Sequence, residues 1–293
     1  MTLTVTAEPR LRHVHCLDAR GLHRMAYWEW GDPANPRVVV CVHGLSRQGR
    51  DFDTLARDLC GEFRVVCPDV VGRGRSDRLA DPMGYAVPTY VADMVTLIAR
   101  LDAEQLDWVG TSMGGLIGLS LASLAGAPIR RLVLNDVGPA IQWQALERIG
   151  SYLGQPMRWR TVDEAADAMA AVSQGFGPHT REEWLALSRP QLVADGDGWK
   201  PYCDPAIAVP FRAITPEIAS AGEAMLWQAW DRIACPVLLL RGADSDLLSA
   251  QTAAAMTQRG PRAQLKVFEG VGHAPTLVAS NQRAAVTGFL RAP

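Results

Sequence analysis

The sequence predicts an α/β fold in which a mostly parallel, eight-stranded sheet is flanked by helices and carries one long helical insertion. Short apolar runs of strand type alternate with amphipathic helical patterns over residues 37–134, which is typical of parallel sheets with right-handed crossovers. The alternation stops at Asp136 and resumes at Pro236. Between these points the patterns are helical, with several Pro and Gly breaks and no clear buried strand.

The predicted strands and helices follow each other with short connections. Residues 37–42 (RVVVCV) form a near-continuous β-branched run, which indicates a strand buried on both faces. Further strands are expected at residues 63–67, 107–110, 131–134, 236–240 and 264–268, and helices at 51–60, 89–101, 113–125, 250–258 and 282–290.

The N-terminal part predicts a β-hairpin, with strands at residues 12–17 and 22–30. His13, His15 and His23 lie in it at strand spacing. We find no acidic or cysteine partner for them, and we therefore expect solvated strand histidines and no metal site.

The insertion divides the chain into two predicted units. Residues 1–136 and 232–293 are expected to form the sheet domain, and residues 137–231 a helical cap over one end of the sheet, since long structureless insertions are rare in compact domains. The cap holds six of the nine tryptophans. We expect most of them to pack in its interior and a few, with Trp143 as our candidate, to face the cavity below.

The composition excludes several classes of protein. Lys and Arg number 29 against 31 Asp and Glu, for a net charge of −2, so no basic surplus favours a nucleic-acid partner. A hydrophobic fraction of 48% argues against disorder. The six cysteines include no C-x-x-C pair, and we find neither a signal-peptide pattern nor an apolar run long enough for a membrane span. We expect a cytoplasmic protein with reduced cysteines and no membrane association.

The sharpest local motif is G-x-S-x-G at residues 110–114, between a predicted strand and a predicted helix. This context is what a nucleophile elbow requires, because glycines on both sides of Ser112 remove Cβ atoms that would clash in so tight a turn. The turn would expose the hydroxyl at a helix N-terminus, where developing negative charge is favoured.

A second motif, His43-Gly44-Leu45, follows the strand at residues 37–42. A backbone N–H of this loop can join the N–H after a nucleophile to form an oxyanion hole, and we assign the N–H groups of Leu45 and Met113 to it. We also place His43, Gly44 and Arg47 near the substrate pocket, where Arg47 would either orient an acidic substrate or be solvated.

A third motif, Gly270-Val-Gly-His273-Ala-Pro, lies in the loop after the last predicted strand. An imidazole at this edge of the sheet can take the proton of a serine hydroxyl, which is a poor nucleophile near neutral pH, and return it to the leaving group. We therefore predict His273 as the base that serves Ser112.

These motifs occur in an order that resembles the α/β-hydrolase superfamily, in its cap-bearing form. The resemblance spans residues from about 10 to 290 and implies a triad in the order Ser, Asp, His. Residues 69–76 (DVVGRGRS) resemble the loop that shapes the cleft in this family, and they lack the third glycine and the lysine of nucleotide-binding loops.

The acid of the triad is where the sequence departs from the family. The family pattern G-x-x-D after the strand that follows the cap places Ser245 at the acid position, with Asp244 and Asp246 on either side. We choose Asp246, because one inserted residue would place it correctly. Asp136, at the end of the strand before the cap, and Asp244 remain alternatives.

The constellation predicts a serine hydrolase that cleaves a small carboxylic ester, a lactone or a hydroxyacid oligomer, with no metal or organic cofactor. Two other functions stay open. Carbon–carbon bond hydrolases of ring-cleavage products also use serine in an S-M-G-G elbow, and some members of the fold bind a small ligand without turning it over. The sequence does not distinguish a monomer from a homo-oligomer.

Overall fold

One eight-stranded sheet organises residues 8–292, the part of the chain that the computed structural model describes. A separate two-stranded hairpin lies outside this sheet. The strands are β1 (Arg10–Asp18), β2 (Gly21–Trp30), β3 (Val38–Val42), β4 (Arg64–Pro68), β5 (Leu106–Thr111), β6 (Ile129–Asn135), β7 (Leu192–Asp195), β8 (Gly198–Pro201), β9 (Val237–Gly242) and β10 (Gln264–Phe268).

The sheet has the strand order β1-β2-β4-β3-β5-β6-β9-β10. The pairs β1·β2 and β2·β4 are antiparallel, and the five pairs from β4 to β10 are parallel. Parallel neighbours bring their carboxyl ends to one edge of the sheet, which is where ligands bind in open α/β folds. The predicted mostly parallel sheet and its N-terminal hairpin are therefore confirmed.

The α-helices connect and cover the strands. They are α1 (Asp53–Leu59), α2 (Val87–Leu101), α3 (Met113–Ala122), α4 (Trp143–Tyr152), α5 (Val162–Val172), α6 (Arg181–Ser188), α7 (Ala208–Arg212), α8 (Pro216–Arg232), α9 (Ala250–Gln258) and α10 (Ser280–Arg291). Each of the five helices predicted in the sheet region is present, with ends displaced by a few residues. In residues 8–292 no helix combines the length and the apolar character that a membrane crossing needs.

The sheet separates two apolar layers. Along β3, Val38, Val40 and Val42 pack into one buried cluster, and Val39 and Cys41 pack into another on the opposite face. All five residues of the strand are buried. Side chains in a strand point alternately to its two faces, so residues 38–42 are apolar throughout because both faces of the strand are covered.

Between β6 and β9 the chain forms helices α4 to α8 and the β7–β8 hairpin. We call residues 137–231 the inserted segment. The hairpin was not predicted, because each of its strands has four residues, of which only the first is buried. Backbone hydrogen bonds between Trp159 and Trp199, at 2.8 and 2.7 Å, extend it by one bridge. The predicted domain boundaries stay a prediction.

Candidate active site

Ser112 lies in the sharp turn between β5 and α3, in a left-handed conformation with φ 51°. Such a conformation is rare for a residue with a side chain and is strained. Gly110 and Gly114 make the turn possible: a Cβ on Gly110 would overlap the carbonyl of Gly114, and a Cβ on Gly114 would overlap the carbonyl of Val42. The structure thus shows the predicted steric reason for both glycines, since a Cβ at either position would clash in the turn.

The imidazole of His273 contacts this serine. Its Nε2 lies 3.0 Å from Ser112 Oγ, and its Nδ1 lies 2.8 Å from Oδ2 of Asp136. Asp136 directly follows β6, has φ 56° and is fully buried. A hydroxyl, an imidazole and a carboxylate in consecutive hydrogen-bonding contact form the arrangement that activates a serine for attack.

The carboxylate of Asp136 has two further donors besides the imidazole. The backbone N–H of Gly242 donates to Oδ1 at 2.9 Å, and the hydroxyl of Ser245 donates to Oδ2 at 2.6 Å. Both donors come from the end of β9 and the turn after it. These contacts hold the carboxylate with Oδ2 facing the imidazole of His273.

The structure contradicts the choice of Asp246 as the acid. Its side chain is 50% exposed and forms an ion pair with Arg148 at 2.7 Å. Asp244 is also exposed, and among residues 8–292 neither carboxylate contacts the imidazole. The reason lies in Ser245, which occupies the usual acid position: a hydroxyl cannot orient the base by charge, and it donates instead to Asp136 from the neighbouring strand.

The loop after β3 lies against the turn that holds Ser112. Gly114 donates its N–H to the carbonyl of His43 at 3.1 Å, and a Cβ on Gly44 would lie 3.7 Å from Ser112 Cβ. Within the described residues, the N–H groups of Leu45 and Met113 have no protein acceptor. Two free donors beside a nucleophile are the parts of an oxyanion hole.

His43 holds this loop and does not line the pocket, contrary to our prediction. Its ring is fully buried, Nε2 accepts from Val70 N–H at 2.9 Å, and Nδ1 donates to the Gly44 carbonyl at 2.7 Å. Burial lowers the pKa of His43 to about 3, with smaller contributions from neighbouring charges. The ring is therefore neutral near pH 7, and its tautomer is determined by the Val70 donor.

Arg73 is a residue of the site that the sequence reasoning missed. Its guanidinium is 1% exposed and donates to the Leu45 carbonyl at 2.8 Å and to the Val71 carbonyl at 2.7 Å. It also lies 3.6 Å from the sulfur of Met113. Arg73 thus contacts both residues assigned to the oxyanion hole, and its position between Gly72 and Gly74 of the cleft loop was the available signal.

The cleft loop is held by the buried carboxylate of Asp69. It accepts from the N–H groups of Gly49 and Arg75, each at 2.8 Å, and a Cβ on Gly74 would overlap it. Burial raises the pKa of Asp69 to about 6, against the opposing effect of these hydrogen bonds.

The inserted segment contacts the site from the other side. Gly272, next to the base, donates its N–H to the carbonyl of Gly175 at 2.6 Å. Arg47 binds Asp51 at 2.7 Å and the Leu187 carbonyl at 3.3 Å. Its charge is thus paired with Asp51, so Arg47 is not the fully solvated side chain of one expectation. The other expectation, a contact with substrate, stays a prediction.

Two further side chains of the inserted segment lie at this contact. The Phe176 ring centroid is 5.8 Å from the guanidinium carbon of Arg47, and His179 Nε2 lies 2.7 Å from Thr276 Oγ1. Trp143, the first residue of α4, is half-buried, and its place in the pocket stays a prediction.

The contacts among Ser112, His273 and Asp136 match the arrangement found in serine hydrolases. A sequence profile of the alpha/beta hydrolase family matches residues 39–286. The chain belongs to this family.

Two relatives are named as hydrolases of this kind, and the chain is an ester-cleaving hydrolase of the alpha/beta hydrolase family. The chain is 55% identical over 289 residues to a 3-hydroxybutyrate-oligomer hydrolase of Cupriavidus necator, with 97% of this chain and 99% of that protein covered. It is 29% identical over 255 residues to the esterase YbfF of Escherichia coli, with 82% and 87% covered. Among solved structures, an alpha/beta hydrolase of Novosphingobium aromaticivorans is 37% identical with a TM-score of 0.85, over 97% of this chain and 99% of that one.

Proposed function

We propose that this protein hydrolyses short oligomers of 3-hydroxybutyrate with Ser112, His273 and Asp136 as its catalytic triad. The observation that carries the triad is the chain of contacts from Ser112 Oγ to His273 Nε2 (3.0 Å) and from His273 Nδ1 to Asp136 (2.8 Å). The substrate class is supported by the 55% identity, over nearly the full length of both chains, to a 3-hydroxybutyrate-oligomer hydrolase.

The first half of the reaction forms an acyl-enzyme. Ser112 Oγ attacks the ester carbonyl while His273 Nε2 takes its proton, and Asp136 stabilises the resulting imidazolium through Nδ1. The oxyanion receives hydrogen bonds from the N–H groups of Leu45 and Met113. Loss of one such donor typically costs about 10²–10³ in kcat. The imidazolium then returns the proton to the departing alkoxide, and the alcohol leaves.

The second half repeats these steps with water. His273 takes a proton from the water molecule, the hydroxide attacks the acyl carbonyl, and Ser112 Oγ leaves with the proton that His273 carried. For a 3-hydroxybutyrate oligomer, one fragment leaves as the alcohol, with a new hydroxyl end. The other fragment is released as the acid, with a new carboxyl end. Each turnover therefore consumes one water molecule and one ester bond.

The proposal is tested by incubating the purified protein with the linear dimer and trimer of 3-hydroxybutyrate and measuring the released monomer by liquid chromatography and mass spectrometry. Ser112→Ala should abolish release, because no nucleophile remains, whereas Ser151→Ala, an exposed serine of α4, should leave it unchanged. A fluorophosphonate should label the wild type and the Ser151 variant but not Ser112→Ala.

Three outcomes would overturn the proposal. Turnover of p-nitrophenyl butyrate without turnover of the oligomers would remove the substrate class and keep the triad. Cleavage of a ring-cleavage diketone in place of esters would favour carbon–carbon bond hydrolysis. Labelling of Ser112 without turnover of any ester would favour a ligand-binding protein. The cytoplasmic location predicted from the sequence remains part of the proposal, to be checked by cell fractionation.

A further inference from the structure

A second cluster of side chains that can bind a metal ion lies near the edge strand β1 of the sheet. Cys16 of β1, His23 of β2 and Asp93 of α2 place one ligand atom each within 4.8 Å of one another. The strand order puts β2, β4 and β3 between β1 and β5, after which Ser112 lies. The cluster therefore belongs to a different part of the fold from the triad, and it has no part in the proposed function.

The backbone brings the three side chains together. Cys16 and His23 are opposite each other in the antiparallel register of β1 and β2, so both point to the same face of the sheet. Helix α2 packs on β1 and supplies Asp93. All three residues are buried, with exposures of 1% for Cys16, 6% for His23 and none for Asp93.

Pairing within the cluster leaves one imidazole nitrogen unsatisfied. His23 Nε2 lies 3.1 Å from each carboxylate oxygen of Asp93. The other nitrogen, Nδ1, is buried without a hydrogen bond of acceptable geometry, although Oδ2 of Asp18 lies 3.3 Å from it. A buried polar atom without a partner is unusual in native proteins and requires an explanation.

We propose that Cys16, His23 and Asp93 form a zinc-binding site that joins the N-terminal hairpin to α2. One thiolate, one imidazole and one carboxylate are ligands that Zn²⁺ accepts in proteins. Zinc on Nε2 requires the remaining imidazole proton on Nδ1. Oδ2 of Asp18 lies 3.3 Å from that nitrogen, so a small shift of either side chain on metal binding would complete the hydrogen bond. A carboxylate on the second nitrogen of a metal-bound histidine is a recurrent feature of zinc sites.

The charges balance at this site. Zinc binding releases the thiol proton of Cys16 to solvent, and the thiolate together with the carboxylate of Asp93 neutralises the two positive charges of the metal. The fourth coordination position is filled by water or by the second oxygen of Asp93. Asp18 ends β1 at the hairpin turn and its side chain is 15% exposed, more than any of the three proposed ligands.

The site also changes the interpretation of the histidines in the sequence. His13 and His15 are exposed, as expected, because they lie on the opposite face of β1 from Cys16. His23 is buried, contrary to the expectation of a solvated side chain, and it does have a cysteine and acidic partners. One of them is distant in sequence, since Asp93 follows His23 by 70 residues.

The test is titration of chelator-treated, full-length protein with Co²⁺, which reports its ligands by absorption. We expect one equivalent to bind with the visible bands of tetrahedral Co²⁺ and a near-ultraviolet thiolate-to-cobalt band, and Zn²⁺ to displace it stoichiometrically. Cys16→Ser should remove the thiolate band. Asp18→Asn, which keeps the oxygen that accepts from the turn, should weaken the affinity by about 10–100-fold.

Two matched variants control for other ligands. His15→Ala removes an exposed histidine next to Cys16, and Cys60→Ser removes a partly exposed thiol at the end of α1; both should keep the full spectrum and affinity. Zinc should raise the melting temperature of the wild type, because a ligand that binds the folded state stabilises it by mass action. Fluorophosphonate labelling of Ser112 should stay unchanged throughout.

The inference is wrong if the wild type shows no thiolate band with one equivalent of Co²⁺. It is equally wrong if the band survives Cys16→Ser or is lost in His15→Ala, because surface ligands would then hold the metal. If Cys16→Ser does not fold, the wild-type spectrum and the Asp18→Asn affinity decide the question without it. Failure of the ester assays would leave these results unaffected.

Discussion

Replacement of Asp136 by asparagine tests the assignment of the triad acid, and its effect can be derived from the contacts of the carboxylate. Oδ1 accepts from Gly242 N–H at 2.9 Å, while Oδ2 accepts from Ser245 Oγ at 2.6 Å and from His273 Nδ1 at 2.8 Å. If the asparagine oxygen stays on Gly242, the amide nitrogen faces both the hydroxyl and the ring. His273 must then present a lone pair at Nδ1.

The proton of the neutral imidazole consequently moves to Nε2, which faces Ser112 Oγ at 3.0 Å. An imidazole that carries a proton on Nε2 cannot take the proton of the serine. We expect kcat to fall by about 10⁴, the size of the loss for the corresponding exchange in an unrelated serine protease. This corresponds to about 5.5 kcal/mol of lost transition-state stabilisation, at about 1.4 kcal/mol per tenfold change in rate.

The control is Asp246→Asn. The side chain of Asp246 is 50% exposed, and that of its ion-pair partner Arg148 is 46% exposed. The exchange should therefore cost no more than about 1 kcal/mol of stability and leave kcat within about twofold. Asp244→Asn should behave in the same way.

The assay is the initial rate of monomer release from the 3-hydroxybutyrate dimer at saturating substrate, with thermal melting curves to show that each variant is folded. A loss of several orders of magnitude in Asp246→Asn, together with near-normal rates in Asp136→Asn, would refute the assignment and restore the acid expected from the sequence.

Three further predictions concern the groups around the triad. Ser245→Ala removes one donor from a buried carboxylate, and we expect kcat to fall about tenfold, the equivalent of about 1–1.5 kcal/mol per hydrogen bond, with KM little changed; an unchanged kcat would show that the hydroxyl does not support Asp136. Arg73→Met leaves the Leu45 carbonyl without its donor. We expect a loss of about 10² in kcat and a parallel loss in affinity for a boronic acid that mimics the oxyanion. A purely structural role of Arg73 would instead lower the melting temperature and leave kcat of the folded enzyme intact. For His43, whose pKa is lowered to about 3 by burial, the unfolded chain binds a proton below about pH 6.5 that the folded protein does not. The contribution of neutral His43 to stability is therefore complete above that pH and is lost as the pH falls toward 3. His43→Asn should flatten the dependence of the unfolding free energy on pH between 4 and 6 by up to about 1.4 kcal/mol per pH unit, measured by urea denaturation. An unaltered slope would contradict the buried neutral ring.

Most of the fold could be predicted because its signals are local. The β-branched run of β3 and the amphipathic spacing of α2 report burial residue by residue, and both elements occur where they were predicted. The β7–β8 hairpin escaped prediction because its short, half-exposed strands carry no such periodicity.

The candidate site divides in the same way. Ser112 is recognisable because its flanking glycines are required by the turn itself, and His273 because it lies in a glycine-rich loop after the last strand. The acid is not recognisable by spacing, since Asp136, Asp244 and Asp246 all follow strands that end at the same edge of the sheet. Which carboxylate reaches the ring depends on the backbone conformation of each residue.

Outside the inserted segment, the amino-acid sequence by itself determined the order of strands and helices, the sharp turn at Ser112 and the loop that carries His273. Each depends on a few neighbouring residues whose steric needs are visible in the chain. Tertiary structure decided which aspartate meets His273, that Arg73 contacts both Leu45 and Met113, and that Cys16 and His23 lie together with Asp93. These contacts join residues on different strands and helices. The lateral order of the sheet and the packing of α2 bring them together, and no interval along the chain encodes that order.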